Sequence, residues 1–202
     1  MNTLLARVVL LALVGALVAA CSGIPLRSLP RLMKLQGQLL EANPAEIMLA
    51  VQVDARMTPP AGAAPVLEIA IRPAQPGAFE PIDKRLPMRV TTASVNALGL
   101  ATPRADRRWL IYSFAPESQA ELQRIQSDFK RVQALAADKR GGTVAMGISQ
   151  AGLALRDPAL APTRWESWLQ TSRQDGFFEL WSGTVADLLR QAKPEAAAPR
   201  PG

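Results

Sequence analysis

The chain has 202 residues, with 23 lysines and arginines against 17 carboxylates, one cysteine and no histidine. The missing histidine excludes the commonest general base, the commonest metal ligand and every Ser-His or Cys-His nucleophile pair, and a lone cysteine excludes an internal disulfide. The formal charge of +6 favours anionic surroundings such as lipid phosphates or acidic glycans.

At the start of the chain, Arg7 precedes an unbroken apolar run from Val8 to Ala20. The run is short for a membrane span, which needs about 20 apolar residues, and suits the apolar region of an export signal. It closes on Val18-Ala19-Ala20-Cys21. This segment resembles the lipobox of bacterial lipoproteins. The resemblance implies a signal peptide over residues 1–20, cleaved after Ala20, a diacylglyceryl group on the Cys21 sulfur and acylation, typically by palmitate, of the new amino group. Two or three acyl chains anchor firmly, because each buried methylene contributes about 0.8 kcal/mol. Ser22 stands where enterobacterial inner-membrane lipoproteins carry aspartate, which implies the outer membrane, facing the periplasm. That address excludes nucleic acid as a partner. Ile24-Pro25-Leu26-Arg27-Ser28-Leu29-Pro30 and Asn43-Pro44-Ala45-Glu46 also resemble features of uncharacterised proteobacterial lipoproteins, a likeness that implies no activity.

Residues 21–43 are expected to form a membrane-proximal tether. They are too apolar for a flexible linker and should pack on the body, adding a short helix or edge strand. Residues 44–192 read as a single domain. Period-two alternation predicts strands over Ile47–Asp54, Leu67–Ile71, Leu86–Val90 and Trp109–Phe114, with Arg89 and Thr91 outward. From Pro116 to Lys139, Leu122, Ile125, Phe129 and Val132 recur every three or four positions, which predicts an amphipathic helix with Ser118 and Glu121 as a capping box. Thr143–Ser149 and Leu153–Leu155 return to β character. Trp165–Thr171 and Phe177–Ser182 flank the turn Gln174-Asp175-Gly176. Thr184 with Asp187 caps a last helix, Val185–Gln191, and the Ala/Pro-rich tail 193–202 is expected to be disordered. The order predicts an α+β fold: an antiparallel sheet or sandwich carrying one long amphipathic helix and a short C-terminal one. An immunoglobulin-like sandwich with a helical insertion is the alternative.

No catalytic residue, metal ligand or cofactor emerges from the pattern, and an enzyme is not expected. Asp54, Glu68, Glu166 and Glu179 lie in predicted strands, where two could converge as in glycoside hydrolysis, but each equally suits a solvated face. Gly147-Ile148-Ser149-Gln150-Ala151-Gly152 lacks the glycine spacing of a nucleophile elbow. Three basic clusters stand out, Lys84, Arg85 and Arg89, then Arg104, Arg107 and Arg108, and Lys130-Arg131 with Lys139-Arg140, of which the first two supply the candidate anion contacts. The candidate ligand-lining aromatics are Trp165 and Trp168, expected on opposite faces of one strand, and Trp181, expected to align with Phe177. The leading expectation is a non-catalytic interaction or scaffolding module with an envelope protein partner. The alternative is a carrier of lipid or another apolar ligand, its long helix covering a cavity. An envelope-glycan hydrolase is more remote.

Overall fold

A computed structural model describes residues 29–91, 98–134 and 141–192. The predicted leader, Cys21, Ser22 and the C-terminal tail fall outside these residues. One sheet of seven antiparallel strands curls into a half-barrel, in the order β5-β2-β3-β4-β1-β6-β7. The strands are β1 (Met48–Asp54), β2 (Val66–Pro73), β3 (Ile82–Thr91), β4 (Arg107–Phe114), β5 (Gly142–Ser149), β6 (Arg164–Gln170) and β7 (Phe178–Thr184). Among the described residues three α-helices accompany them: α1 (Leu29–Glu41), α2 (Pro116–Gln133) and α3 (Val185–Gln191). The α+β expectation holds. The sandwich alternatives do not, because all seven strands join one ladder and a single main core lies on its inner face.

The inner face follows from the alternation. Leu49, Val51 and Val53 of β1, Leu67, Ile69 and Ile71 of β2, and Tyr112 and Phe114 of β4 are all at most 3% exposed. Helix α2 lays Leu122 and Ile125 on them, which closes the core. The helix starts three residues earlier than the capping-box reading, with Ala115 rather than Ser118 as N-cap and Pro116 in the first turn. Ser118 instead lies inside the helix and donates its hydroxyl to the carbonyl of Pro87, at 2.9 Å.

That contact explains a proline inside a strand. β2 pairs with β3 through the even-numbered β3 residues, as the bond from Met88 N to Pro65 O shows, so the backbone of Pro87 turns toward the β4 side. Pairing with β4 begins only at Met88. The missing N–H of Pro87 is needed by no neighbour, and its free carbonyl receives Ser118.

Helix α1 packs against α2 and β5. No glycine follows it. Gln126 of α2 donates from Nε2 to the carbonyls of Leu39 and Ala42, both at 2.9 Å, and so satisfies the orphaned end of the helix. Of the remaining expectations, Leu153–Leu155 is corrected: Ala151–Leu153 forms a 3-10 turn, buried through Leu153. The Thr184–Asp187 cap of α3 forms as a reciprocal capping box.

Candidate functional site

The outer face of the sheet holds a second, smaller apolar cluster. Ala50 of β1, Ile111 of β4 and Phe177 are buried there, with Met48, Leu100, Trp109 and Trp168 packed around them. Register places Ala50 beside both Ile111 and Trp168, and Gln52 beside both Trp109 and Glu166. The small side chain of Ala50 lets the two indoles come together, edge to face, with centroids 6.3 Å apart.

A strap over residues 98–106 covers this cluster. Phe177 N donates to Leu98 O at 2.7 Å, and Trp109 Nε1 donates to Ala101 O at 2.9 Å. The strap passes so close to the 176–177 turn that only glycine fits at its crossing. Gly99 has φ +89°, and a β-carbon there would lie 2.2 Å from Phe177 O. Trp168 Nε1 is buried and has no hydrogen-bond partner among the described residues.

Arg107 sits at the end of this face and is 7% exposed. Its Nη2 donates to Gln52 O at 2.7 Å, while its Nε is buried without a hydrogen-bond partner among the described residues. Burial pushes the guanidinium below its usual range, and Glu166 nearby opposes the shift. Arg164 pairs with Glu166, so the acid is shared between two cations.

On the inner side the helix is tight at one end and loose at the other. Leu122 and Ile125 are buried, whereas Phe129 is only half-buried. Two grooves flank Phe129. One, of about 190 Å3, is lined mainly by Ile71, Phe79, Val132 and Val144. The other, of about 230 Å3, runs along Gly37, Leu40 and Glu41 of α1, with Lys130 at its side.

The two candidate anion clusters lie apart. Arg89 stands opposite Ser113, and Arg107 is six residues further along β4, about 20 Å away at about 3.4 Å per residue. Lys84 bonds Glu121 at 2.9 Å on the helix side, and Arg85 bonds Glu68 at 3.1 Å on the outer side. Arg104 pairs with Asp106 at 3.4 Å, and Arg108 donates to the carbonyl of Met57. Arg89 is exposed and has no ion pair among the described residues.

The three candidate aromatics also separate. Trp165 is fully buried in the inner core and donates Nε1 to Gln150 Oε1 at 3.1 Å. Trp168 faces outward, as the alternation requires. Trp181 does not share a face with Phe177, which corrects the expected alignment. Between Ser167 and Trp168 the register shifts and leaves Leu180 unopposed, so Trp181 turns to the inner face while Phe177 joins the outer cluster. Sequence reading missed the partnership of Trp109 with Trp168, which rests on a pairing between strands distant in the chain. Its one sequence signal is the small residue Ala50 in an otherwise bulky strand.

Of the strand carboxylates, Asp54, Glu68 and Glu166 hold arginines rather than one another. Asp54 is gripped by Arg56 Nε and Nη2 at 2.9 and 2.8 Å, which holds its carboxyl far below the ordinary range. A general acid needs the opposite shift. Among the described residues, no three Asp, Glu, His or Cys side chains gather as a metal site, and no helix is long and apolar enough to cross a membrane. No protein-family model, no curated protein and no solved structure matches this chain.

Proposed function

We propose that the chain is a periplasm-facing lipoprotein of the outer membrane, acting as a non-catalytic interaction module whose body is held close to the bilayer. One observation carries the reading: α1 begins eight residues after Cys21 and is fixed into the domain. Leu39 and Leu40 are 1% and 5% exposed, and Gln126 ties down the helix end. Eight residues span at most about 28 Å at about 3.5 Å each. A lipid on Cys21 then keeps the body within that distance of the headgroups, where a module on a long polar linker would roam. The carboxylates bound to arginines and the absence of histidine fit binding better than catalysis.

Radiolabelled palmitate should enter the wild-type protein and fail to enter Cys21→Ala. Photo-crosslinkers placed at exposed outer-face positions such as Arg85 and Arg89 should capture a recurrent envelope protein. Absence of label removes the anchor, and absence of crosslinks at every position removes the interaction role.

Apolar-ligand carriage is the second reading, and the grooves flanking Phe129 favour it. Each is smaller than the roughly 300–1,000 Å3 of ordinary ligand sites, which keeps this reading second. Native mass spectrometry of gently released protein decides the matter: an adduct that dissociates as a lipid reverses the order, and a bare mass leaves it.

A further inference from the structure

The two grooves at Phe129 lie at the end of the body from which the chain leads back to Cys21. Gln126 of α2 holds the C-terminal end of α1 through the carbonyls of Leu39 and Ala42. From there the groove between the helices passes Leu40 and Gly37 on one side, and Phe129, Lys130 and Gln133 on the other. The helices therefore run in opposite senses, and the first turns of α1 lie toward the end of the body where α2 stops. Register brings further pieces to that end. β5 begins there, with Gly142 opposite Pro73, the last residue of β2, and the β2–β3 connection brings Phe79. Arg107 lies at the far end, because β4 pairs with β3 from Met88 to Thr91 and its first residues run on beyond Thr91.

Phe129, Gln133 and Val144 line both grooves, which are thus two lobes of one furrow. The lobe of about 190 Å3 is walled mainly by the carbon of Ile71, Phe79, Val132 and Val144. The lobe of about 230 Å3 has a cation on one wall, Lys130, and a carboxylate on the other, Glu41. Elsewhere along α2 the charges are matched, Glu121 with Lys84 and Arg124, and Asp128 with Arg131. Lys130 and Glu41 are both exposed, and neither is in an ion pair among the described residues.

An apolar lobe beside one unpaired cation and one unpaired carboxylate fits an acyl chain whose head group carries both a phosphate and an ammonium. A purely anionic head would meet Glu41 with like charge, and a quaternary ammonium has no N–H to donate to it. Each lobe is too small to enclose a whole lipid, so most of such a molecule stays in its bilayer. Leu29 is eight residues from Cys21, at most about 28 Å. A lipid on Cys21 therefore brings this end of the body, rather than the Arg107 end, to the head groups.

We infer that the furrow takes one chain and the head group of a phosphatidylethanolamine from the bilayer, with the chain beside Phe129, the phosphate at Lys130 and the ammonium at Glu41. The inference rests on the lipoprotein reading for the membrane that supplies the lipid, and on the furrow alone for the site.

Gln133 is exposed and lines both lobes, so a thiol there reports occupancy. The full chain carrying Gln133→Cys is reconstituted in phosphatidylcholine vesicles, with added phosphatidylethanolamine, with added phosphatidylglycerol, or with neither. Maleimide labelling is followed by peptide mapping, which counts the new thiol apart from Cys21. Phosphatidylethanolamine should slow labelling about fivefold more than phosphatidylglycerol does, as one exposed charged contact of about 1 kcal/mol allows. Glu41→Gln should abolish that preference, and Lys130→Gln should remove protection by either lipid, both with unchanged circular dichroism. Arg104→Cys, exposed at the far end, should label alike in all vesicles. Absence of protection, equal protection by the two lipids, or a preference that survives Glu41→Gln overturns the inference. Label on Cys21 in the unmodified chain removes the anchor instead, and the comparison at Gln133→Cys still decides the site.

Discussion

Trp109 and Trp168 meet edge to face on the outer side of the sheet, with their planes at 85°. Such a contact contributes about 0.5–1.5 kcal/mol beyond the area it buries. In a double-mutant cycle of Trp109→Leu and Trp168→Leu, followed by urea unfolding, a coupling of about 1 kcal/mol is expected. Strictly additive costs would show that the ring geometry is incidental to packing.

Gly99 is the point at which the strap can be dislodged. Alanine there meets both the positive φ and the carbonyl of Phe177. A cost of about 1–3 kcal/mol is expected, together with faster proteolytic cleavage within 98–106. Gly62→Ala makes a useful comparison: its φ is +74° but its β-carbon would meet open space, so it carries the dihedral penalty alone. Equal losses at the two sites would mean that the crossing is not tight.

The box at the start of α3 makes a prediction about pH. Asp187 accepts from the backbone and hydroxyl of Thr184, which holds its carboxyl below the ordinary range. A carboxylate whose folded pKa is depressed contributes stability above its unfolded pKa, near 4, and loses it as pH falls through the lower folded value. Thr184→Ala should cost about 1 kcal/mol at pH 7. The gap between wild type and Asp187→Asn should narrow steadily from pH 5 toward pH 2. A gap constant across that range would deny the charged cap any role.

Trp165 and Gln150 form a polar contact inside a sealed core. Trp165→Phe leaves the buried Gln150 oxygen without its donor, and a loss of about 1–3 kcal/mol is expected beyond that of the missing ring. Adding Gln150→Leu to that variant should recover part of the loss. A double mutant less stable than Trp165→Phe would show that Gln150 is held by other contacts.

Much of this architecture is legible in the chain because its inner face is continuous. Leu49, Val51 and Val53 alternate, Leu122, Ile125 and Phe129 keep helical spacing, and Thr184 with Asp187 marks a helix start by local chemistry alone. The errors share a cause. Ser118 has the composition of a cap, yet its hydroxyl is claimed by Pro87, more than thirty positions earlier. Strict alternation would put Trp181 on the face of Phe177, and one unopposed residue, Leu180, reverses it. The outer aromatic cluster depends on which strands adjoin, and a period of two cannot report strand order.

The place of β1 in the sheet has a kinetic side. It is the first of the described strands and lies inside the sheet, where Leu49 must wait for Tyr112 on one side and Leu169 on the other. Pairings so distant in sequence are slow to form, because loop-closure entropy is lost before any contact offsets it. Through that interval the run Met48-Leu49-Ala50-Val51-Gln52-Val53 is uncharged, β-prone and free of proline and glycine, the composition that stacks between chains. The sheet closes over this strand only when the β6–β7 hairpin, the last to be synthesised, has docked. A chain that ends before β6 would offer the bare Met48–Gln52 edge to its neighbours.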